Sequence, residues 1–375
     1  MGLETRERME TKYSIVKQNI KSKILDGTFG AHQKISSEND LMKEFGVSRH
    51  TVRIAIGELV SEGWLYREQG AGTFVADRTK DETRLEKKTK NIAIVATYIS
   101  DYIFPSIIRG AESYLSNQGF QVSLYSTNNN HEDEMRILEN ILTQNVDGII
   151  IEPTKSAFSN PNINYYLNLE RLNIPYIMIN AFYDELEPLC LVMDDEKGGF
   201  IQAEHLIELG HNNIVGFFKT DDVQGVKRMK GYIKAHRKHH IPINPNNIIT
   251  YNSQEKNTKP VEELKKLLSS EDRPTGLVCY NDELTLFLLD VIREKKLHVP
   301  NDLSIVGYDD SFLAQASEVK LTTIKHPKNE MGEAAAQMIV ELVKAKEGSS
   351  KKSDSKIETI IYEPELVIRQ STGRV

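Results

Sequence analysis

The chain has 375 residues, 39% hydrophobic and 27% charged, with a formal net charge of −7; that is long for one ordinary domain and leaves room for one small and one large unit. No apolar run approaches the roughly 18 residues of a membrane span, and the N-terminus MGLETRERMETKY is charged where a signal peptide would be apolar, so neither a membrane nor an exported protein is expected and a cytoplasmic one is. The acidic total does not exclude a nucleic-acid partner, because only the local potential facing the phosphates matters.

Tyr13, Val16, Ile20 and Ile24 recur at helical spacing and predict a first packing helix. Ser37 precedes ENDLMKEF, in which Leu41 and Phe45 are four apart, and is placed to cap a second helix. Gly46 supplies the corner, and Ser48 caps a third helix with Val52, Ala55, Ile56, Leu59 and Val60 on its buried face. The opposite face carries Arg49, His50 and Arg53, with no acidic residue between Phe45 and Gly57. Such a helix offers hydrogen-bond donors to base edges in a major groove. After Gly63, WLYREQGAGTFVA alternates into a short hairpin whose small GAG tip lets backbone approach a phosphate. Each basic residue alone would be the solvated face of any helix. Three helices, a capped corner, an acid-free basic face and a glycine-tipped hairpin together point to DNA.

The stretch ISSENDLMKEFGVSRHTVRIAIGELVSEGWLYREQGAGTFV resembles the winged helix-turn-helix of the GntR family, and the resemblance covers nearly all of residues 12–76. It implies base or phosphate contacts from Ser48, Arg49, His50, Thr51 and Arg53 at the start of the third helix, from Glu38 and Asn39 at the start of the second, and from Gln69 and Gly70 in the wing. Arg49 suits a bidentate contact to guanine, Glu38 can accept from a cytosine amino group, and Lys12 can pin a phosphate.

Residues 78–90, RTKDETRLEKKTK, hold one leucine among charged and polar residues and read as a solvated linker between a head at 12–77 and a body at 91–375. In the body, short β-branched runs alternate with amphipathic segments: NIAIVAT before Phe104–Gln118, QVSLYS before His131–Gln144, then DGIII, PYIMI, NNIVGFF, TGLVCY and LSIVGY. That alternation predicts an α/β fold with parallel sheets. Beyond Leu321 come LTTIKH, a helix over Lys328–Lys346, a polar GSSKKSDSK loop and a final strand pair around Ile357–Ile368.

Ligands of open parallel sheets meet loops at the carboxyl ends of strands. Those loops hold Asp101, Tyr102 and Phe104 after the first strand, Asn128 after the second and Glu152 after the third. Arg228 follows NIVGFFKTDD, Asn281 and Asp282 follow TGLVCY, and Asp309 and Asp310 follow LSIVGY. Carboxylates, amides, a guanidinium and aromatic rings are what a sugar's hydroxyls and apolar faces require. Each residue has a plainer role available: Asp282 could cap the helix beginning ELTLFLLD, and Asp309 or Asp310 could form an Asx turn.

DGIII, GHNNIVGF, CYNDELT, VPNDLSIVGYDD and LTTIKHP, in that order, resemble the LacI/GalR repressors and the sugar-binding periplasmic proteins over roughly residues 91–372. The resemblance implies a two-lobed, periplasmic-binding-protein-like body that closes on a sugar effector, with hydroxyl-binding residues at Asp101, Arg228 and Asp282, and adds Lys155 and His326 as candidates. It further implies a homodimer, joined through the helix at Phe104–Gln118 and its neighbouring strand, that binds double-stranded operator DNA and releases it when sugar binds. The first loop, SDYIFP, departs from the usual short polar stretch and bears on which sugar is bound.

No cofactor, metal or catalytic machinery is expected. Cys190 and Cys279 stand apart in apolar settings and read as buried thiols. The HRKHH run at 236–240 reads as the solvated, dipole-favouring end of a basic helix rather than a metal site. Neither GYDDS nor GHNN has phosphate-loop spacing. A sugar transport protein would leave the first 76 residues unexplained; an enzyme of carbohydrate metabolism and a regulator answering a purine are the other rivals.

Overall fold

The computed structural model describes residues 11–77, 90–100, 102–144, 146–346 and 357–375. The linker at 78–90, apart from Lys90, the candidate Asp101 and the whole GSSKKSDSK loop lie outside the described residues. The chain divides into two units, the smaller containing the N-terminal helices and hairpin and the larger containing both parallel sheets.

In the head, α1 (Lys12–Leu25), α2 (Glu38–Phe45) and α3 (Arg49–Ser61) precede an antiparallel hairpin of β1 (Leu65–Glu68) and β2 (Gly72–Val75). The hydroxyl of Ser37 accepts from the Asp40 amide and that of Ser48 from the Thr51 amide, each at 3.2 Å, which satisfies donors that a helix start leaves orphaned. Gly46 ends α2 in the left-handed region with φ of 58°. Val16 and Ile20 of α1 meet Val52, Ala55, Ile56 and Leu59 of α3 in a sealed core, as the apolar spacing predicted.

The body holds two six-stranded sheets. The first runs β13-β7-β6-β5-β3-β4, built from β3 (Asn91–Ala96), β4 (Gln121–Ser126), β5 (Gly148–Ile151), β6 (Tyr176–Ile179), β7 (Cys190–Met193) and β13 (Ile360–Tyr362). The second runs β14-β12-β11-β10-β8-β9, built from β8 (Ile214–Lys219), β9 (Ile248–Tyr251), β10 (Gly276–Val278), β11 (Ser304–Asp309), β12 (Thr322–Lys325) and β14 (Glu365–Val367). Every pairing in them is parallel except β12 with β14. The crossovers include α4 (Phe104–Asn117), α5 (His131–Thr143), α7 (Asp195–Glu208), α8 (Val223–Lys238) and α10 (Asp282–Glu294), and α12 (Lys328–Lys346) returns to pack on α4. The chain therefore passes between the lobes after β7, after β12 and between β13 and β14.

That last passage corrects one expectation. The final two strands do not pair: β13 joins β7 in the first lobe and β14 joins β12 in the second. Pro364 stands between them, and without an N–H it cannot extend a ladder. A second correction concerns HRKHH. His236 is buried, with Nδ1 3.0 Å from the Tyr232 carbonyl oxygen, and His239 sits 2.9 Å from Glu204, so only part of the run is solvated. Cys190 and Cys279 are free and buried, and burial pushes both thiols up.

Close helix contacts rest on glycine. A Cβ at Gly231 of α8 would stand 2.0 Å from the Glu196 carbonyl oxygen of α7, and one at Gly332 of α12 would stand 2.0 Å from that of Ile107 in α4. Backbone cannot yield as a flexible side chain can. Gly231→Ala should therefore cost about 1–3 kcal/mol in urea unfolding, whereas Gly57→Ala, in open space on α3, should be neutral or gain up to about 1 kcal/mol. Equal behaviour of the two variants would show that α7 and α8 separate freely.

Candidate functional site

Two surfaces gather the chemistry. On the head, the start of α3 has no acidic residue in its first turn and projects Arg49, His50 and Arg53 into solvent. Arg49 donates from a terminal nitrogen to Oδ1 of Asn39 at 2.5 Å, and Arg53 Nε donates to Glu38 Oε2 at 3.0 Å. The expected residues of α2 and α3 thus form one cluster. These contacts are exposed, and an exposed ion pair is worth only about 0–1 kcal/mol, so a phosphate or base edge can take the place of Asn39 or Glu38 as acceptor. Ser48 and Thr51 are partly committed to the cap, with their hydroxyls 2.9 Å apart. Gln69 and Gly70 are exposed at the hairpin turn, Gly70 with φ of 78°, and Lys12 is exposed at the start of α1.

The second surface is a cavity between the two lobes of the body. Among the expected residues, Tyr102, Phe104, Glu152, Arg228, Asn281, Asp309 and His326 line it. Arg228 is buried; its Nε donates to Asp195 at 2.8 Å, a terminal nitrogen donates to the Tyr280 carbonyl oxygen at 2.6 Å, and the guanidinium carbon lies 3.4 Å from the Tyr308 ring centre. Lys219, the last residue of β8, meets Asp222 at 3.0 Å, and the Tyr280 hydroxyl donates to the same carboxylate at 2.6 Å. Burial raises the Asp222 carboxyl, but the Lys219 charge together with hydrogen bonds from the Tyr280 hydroxyl, the Gly225 amide and Lys219 outweighs it, and the net shift is downward. Burial lifts the Glu152 carboxyl to about 7 against hydrogen bonds from Thr97 and Asn180. His326 is pushed down to about 3 by burial first and then by the charges of Lys328 and Arg228, so its ring is neutral.

Four expected residues lie elsewhere. Asp282 is sealed behind the wall: Oδ1 accepts from the Thr323 hydroxyl at 2.7 Å, and Oδ2 from the amide and hydroxyl of Ser311 at 2.8 and 2.9 Å. It ties β12 to the loop after β11, and its carboxyl rises to about 7 through burial and then the nearby Asp309 charge. Asn281, not Asp282, caps α10, accepting from the Leu284 amide at 2.9 Å. Asn128 is exposed, and its neighbour Asn129 reaches the cavity instead. Lys155 does not line the cavity, although its amide donates to Asn129 at 2.7 Å. Asp310 pairs with Arg369 at 2.6 Å. Sequence reasoning also missed Asn180, Asp195, Lys219, Asp222, Tyr251 and Tyr280 in the lining. Tyr280 lies within the CYNDELT motif, which is the available signal.

Three lining cations, Lys219, Arg228 and Lys256, each sit within 3.5 Å of a carboxylate. Five lining carboxylates, Glu152, Asp195, Asp222, Glu283 and Asp309, exceed them in number. The cavity therefore offers acceptors for hydroxyl donors, with aromatic rings alongside, and among the described residues each lining lysine or arginine already faces a carboxylate. Among the described residues, no group of three or more His, Cys, Asp or Glu could hold a metal, and no helix is long and apolar enough to cross a membrane.

Residues 12–75 match the gntR family of bacterial regulatory proteins, and residues 203–372 match the periplasmic binding protein-like domain. The chain is 62% identical to the arabinose metabolism transcriptional repressor of Halalkalibacterium halodurans, across 97% of each chain. It is 50% identical to the protein of the same name from Geobacillus stearothermophilus, across 99% of this chain and all of the relative. A solved LacI family transcriptional regulator from Enterococcus faecium, with bound ribose, is 26% identical with a TM-score of 0.63, over 76% of this chain and all of that one. The class is a transcriptional repressor with a gntR-type DNA-binding head and a LacI-like body, a binding role and not a catalytic one. Within that class, the chain belongs to the family of the arabinose metabolism transcriptional repressors.

The buried carboxyls set a pH dependence. Glu152 holds its proton more tightly folded than unfolded, so its contribution to stability is complete below its ordinary value near 4.5 and is lost as pH rises through about 7. Glu152→Gln has no such loss. Thermal unfolding from pH 5 to 8 should show the variant gaining on the parent as pH rises, and a constant difference would mean Glu152 is ionised throughout.

Proposed function

We propose that the chain represses genes of L-arabinose utilisation in the cytoplasm, binding operator DNA as a homodimer and releasing it when L-arabinose occupies the cleft. The head, 12–77, reads DNA, residues 78–90 link, and the body, 91–375, binds effector and pairs with a second copy through the surface around α4. Arg49, His50 and Arg53 supply the groove-facing donors, with Glu38 and Asn39 beside them; Lys12, Ser48, Thr51, Gln69 and Gly70 position the head on phosphates.

The observation that carries the effector reading is the charge balance of the cavity, in which every lining cation is already matched and acceptors remain. A neutral polyol satisfies such a site; a phosphorylated sugar would leave its charge unpaired. The names of the full-length relatives point to arabinose among polyols. Glu152, Asn281, Asp309, Arg228 and His326 would meet hydroxyls, and Tyr102 and Phe104 would border the ring. Coupling between effector and operator is on the order of 1–3 kcal/mol in such linkage.

Calorimetric titration of the full chain should give saturable binding of L-arabinose and none of arabinose 5-phosphate; the reverse order would sink the reading. Arg49→Ala should weaken operator binding by about 1–3 kcal/mol and nonspecific binding far less, measured by competition at fixed salt. An equal loss on both would make Arg49 a phosphate contact.

A further inference from the structure

One hydrogen-bonded chain in the cleft runs from Thr97 through Glu152 and Asn180 to His326, and ends there. Glu152 Oε2 accepts from the Thr97 amide at 2.9 Å and faces the Thr97 hydroxyl, while Oε1 accepts from Asn180 Nδ2 at 3.1 Å. With its NH2 turned to Glu152, Asn180 presents Oδ1 to His326 Nε2 at 3.1 Å. A carbonyl oxygen only accepts, so Nε2 carries the ring proton and Nδ1 holds a bare lone pair. A proton on Glu152 does not reverse the chain, because the Thr97 hydroxyl can accept it from Oε2 and Oε1 stays an acceptor. Nδ1 of His326 is buried and, among the described residues, has no hydrogen-bond partner, although His326 lines the cavity.

We propose that His326 selects among sugars by accepting a hydrogen bond at Nδ1 from one effector hydroxyl, and that Asn180, held by Glu152, is the positioning residue that keeps this nitrogen unprotonated. The inference rests on the reading of the cleft as a sugar site. An effector whose hydroxyl meets Nδ1 satisfies an otherwise bare buried acceptor. An analogue without that hydroxyl leaves it bare and loses the difference.

The test titrates L-arabinose and its monodeoxy and mono-O-methyl derivatives into the full-length parent and His326→Phe. One position should discriminate by about tenfold or more in the parent, and His326→Phe should erase that discrimination while weakening L-arabinose itself. Discrimination that survives in His326→Phe, or derivatives that all lose alike, overturns the proposal. If the parent does not bind L-arabinose at all, the sugar reading fails, and the tautomer is decided separately. That second measurement, nitrogen NMR of histidine-labelled protein without ligand, should find His326 protonated at Nε2 in the parent and a mixture of tautomers in Asn180→Ala. A parent protonated at Nδ1 overturns the assignment.

Discussion

A guanidinium withdrawn from water must be matched on every side, and in this body Arg228 makes that demand at the centre of the cleft. Asp195 comes from α7, the Tyr280 carbonyl from the loop after β10, and Tyr308 and Asp309 from the end of β11. Three elements are thereby pinned to one cation on α8. The glycines serve the same end: a Cβ at Gly199 would stand 2.2 Å from the Arg228 carbonyl oxygen, and one at Gly198 would stand 2.4 Å from the Tyr308 hydroxyl. Without both, α7 could not approach closely enough for Asp195 to reach the guanidinium. The floor of the cavity is consequently braced by the protein's own groups, the arrangement in which a few fixed polar groups discriminate best.

The arginines of the head work under the opposite condition. Arg49 and Arg53 are exposed, and Glu38 and Asn39 engage them through contacts that water already competes for. Little would be lost if a nucleic-acid acceptor took their place. The same side chain therefore serves as a fixed brace where it is dry and as an exchangeable donor where it is wet, and burial decides which.

The head was readable because its signals are local. Ser37 and Ser48 lie three residues from the amides they cap, and the stripes of α1 and α3 need only helical spacing. α12 was likewise placed at Lys328–Lys346 by its own pattern. The cleft was readable only in part. Strand ends mark which loops approach it, and so Glu152, Arg228 and Asp309 were found. They do not say which way a side chain turns: Asn128 and Asn129 both have positive φ, at 49° and 52°, and only the second faces inward. Asp282 was misplaced because its partners, Ser311 and Thr323, lie 29 and 41 residues further on. Asp195 needs α7 and α8 to meet before its role exists, and Lys219 is hidden at the end of an apolar strand.

The lobes touch through bonds that contain no ligand. Asn129 donates to Ser253 at 2.9 Å, the Val223 amide donates to Ser156 at 3.0 Å, and the Tyr102 hydroxyl donates to the Tyr308 carbonyl oxygen at 2.9 Å while accepting from the Asp282 amide at 3.0 Å. These bonds join the lobes with or without effector, so they cannot by themselves report that a ligand has bound. A ligand moves such a balance only by what it gains in one arrangement and not in the other. In this cleft two buried atoms have no hydrogen-bond partner among the described residues, Nδ1 of His326 and Oε1 of Gln224, both on residues that line the cavity. Opening would expose them to water, and a bound hydroxyl would satisfy them without opening. On the proposed reading, an effector acts on the cleft through the few lining groups that the protein's own hydrogen bonds leave unmet among the described residues.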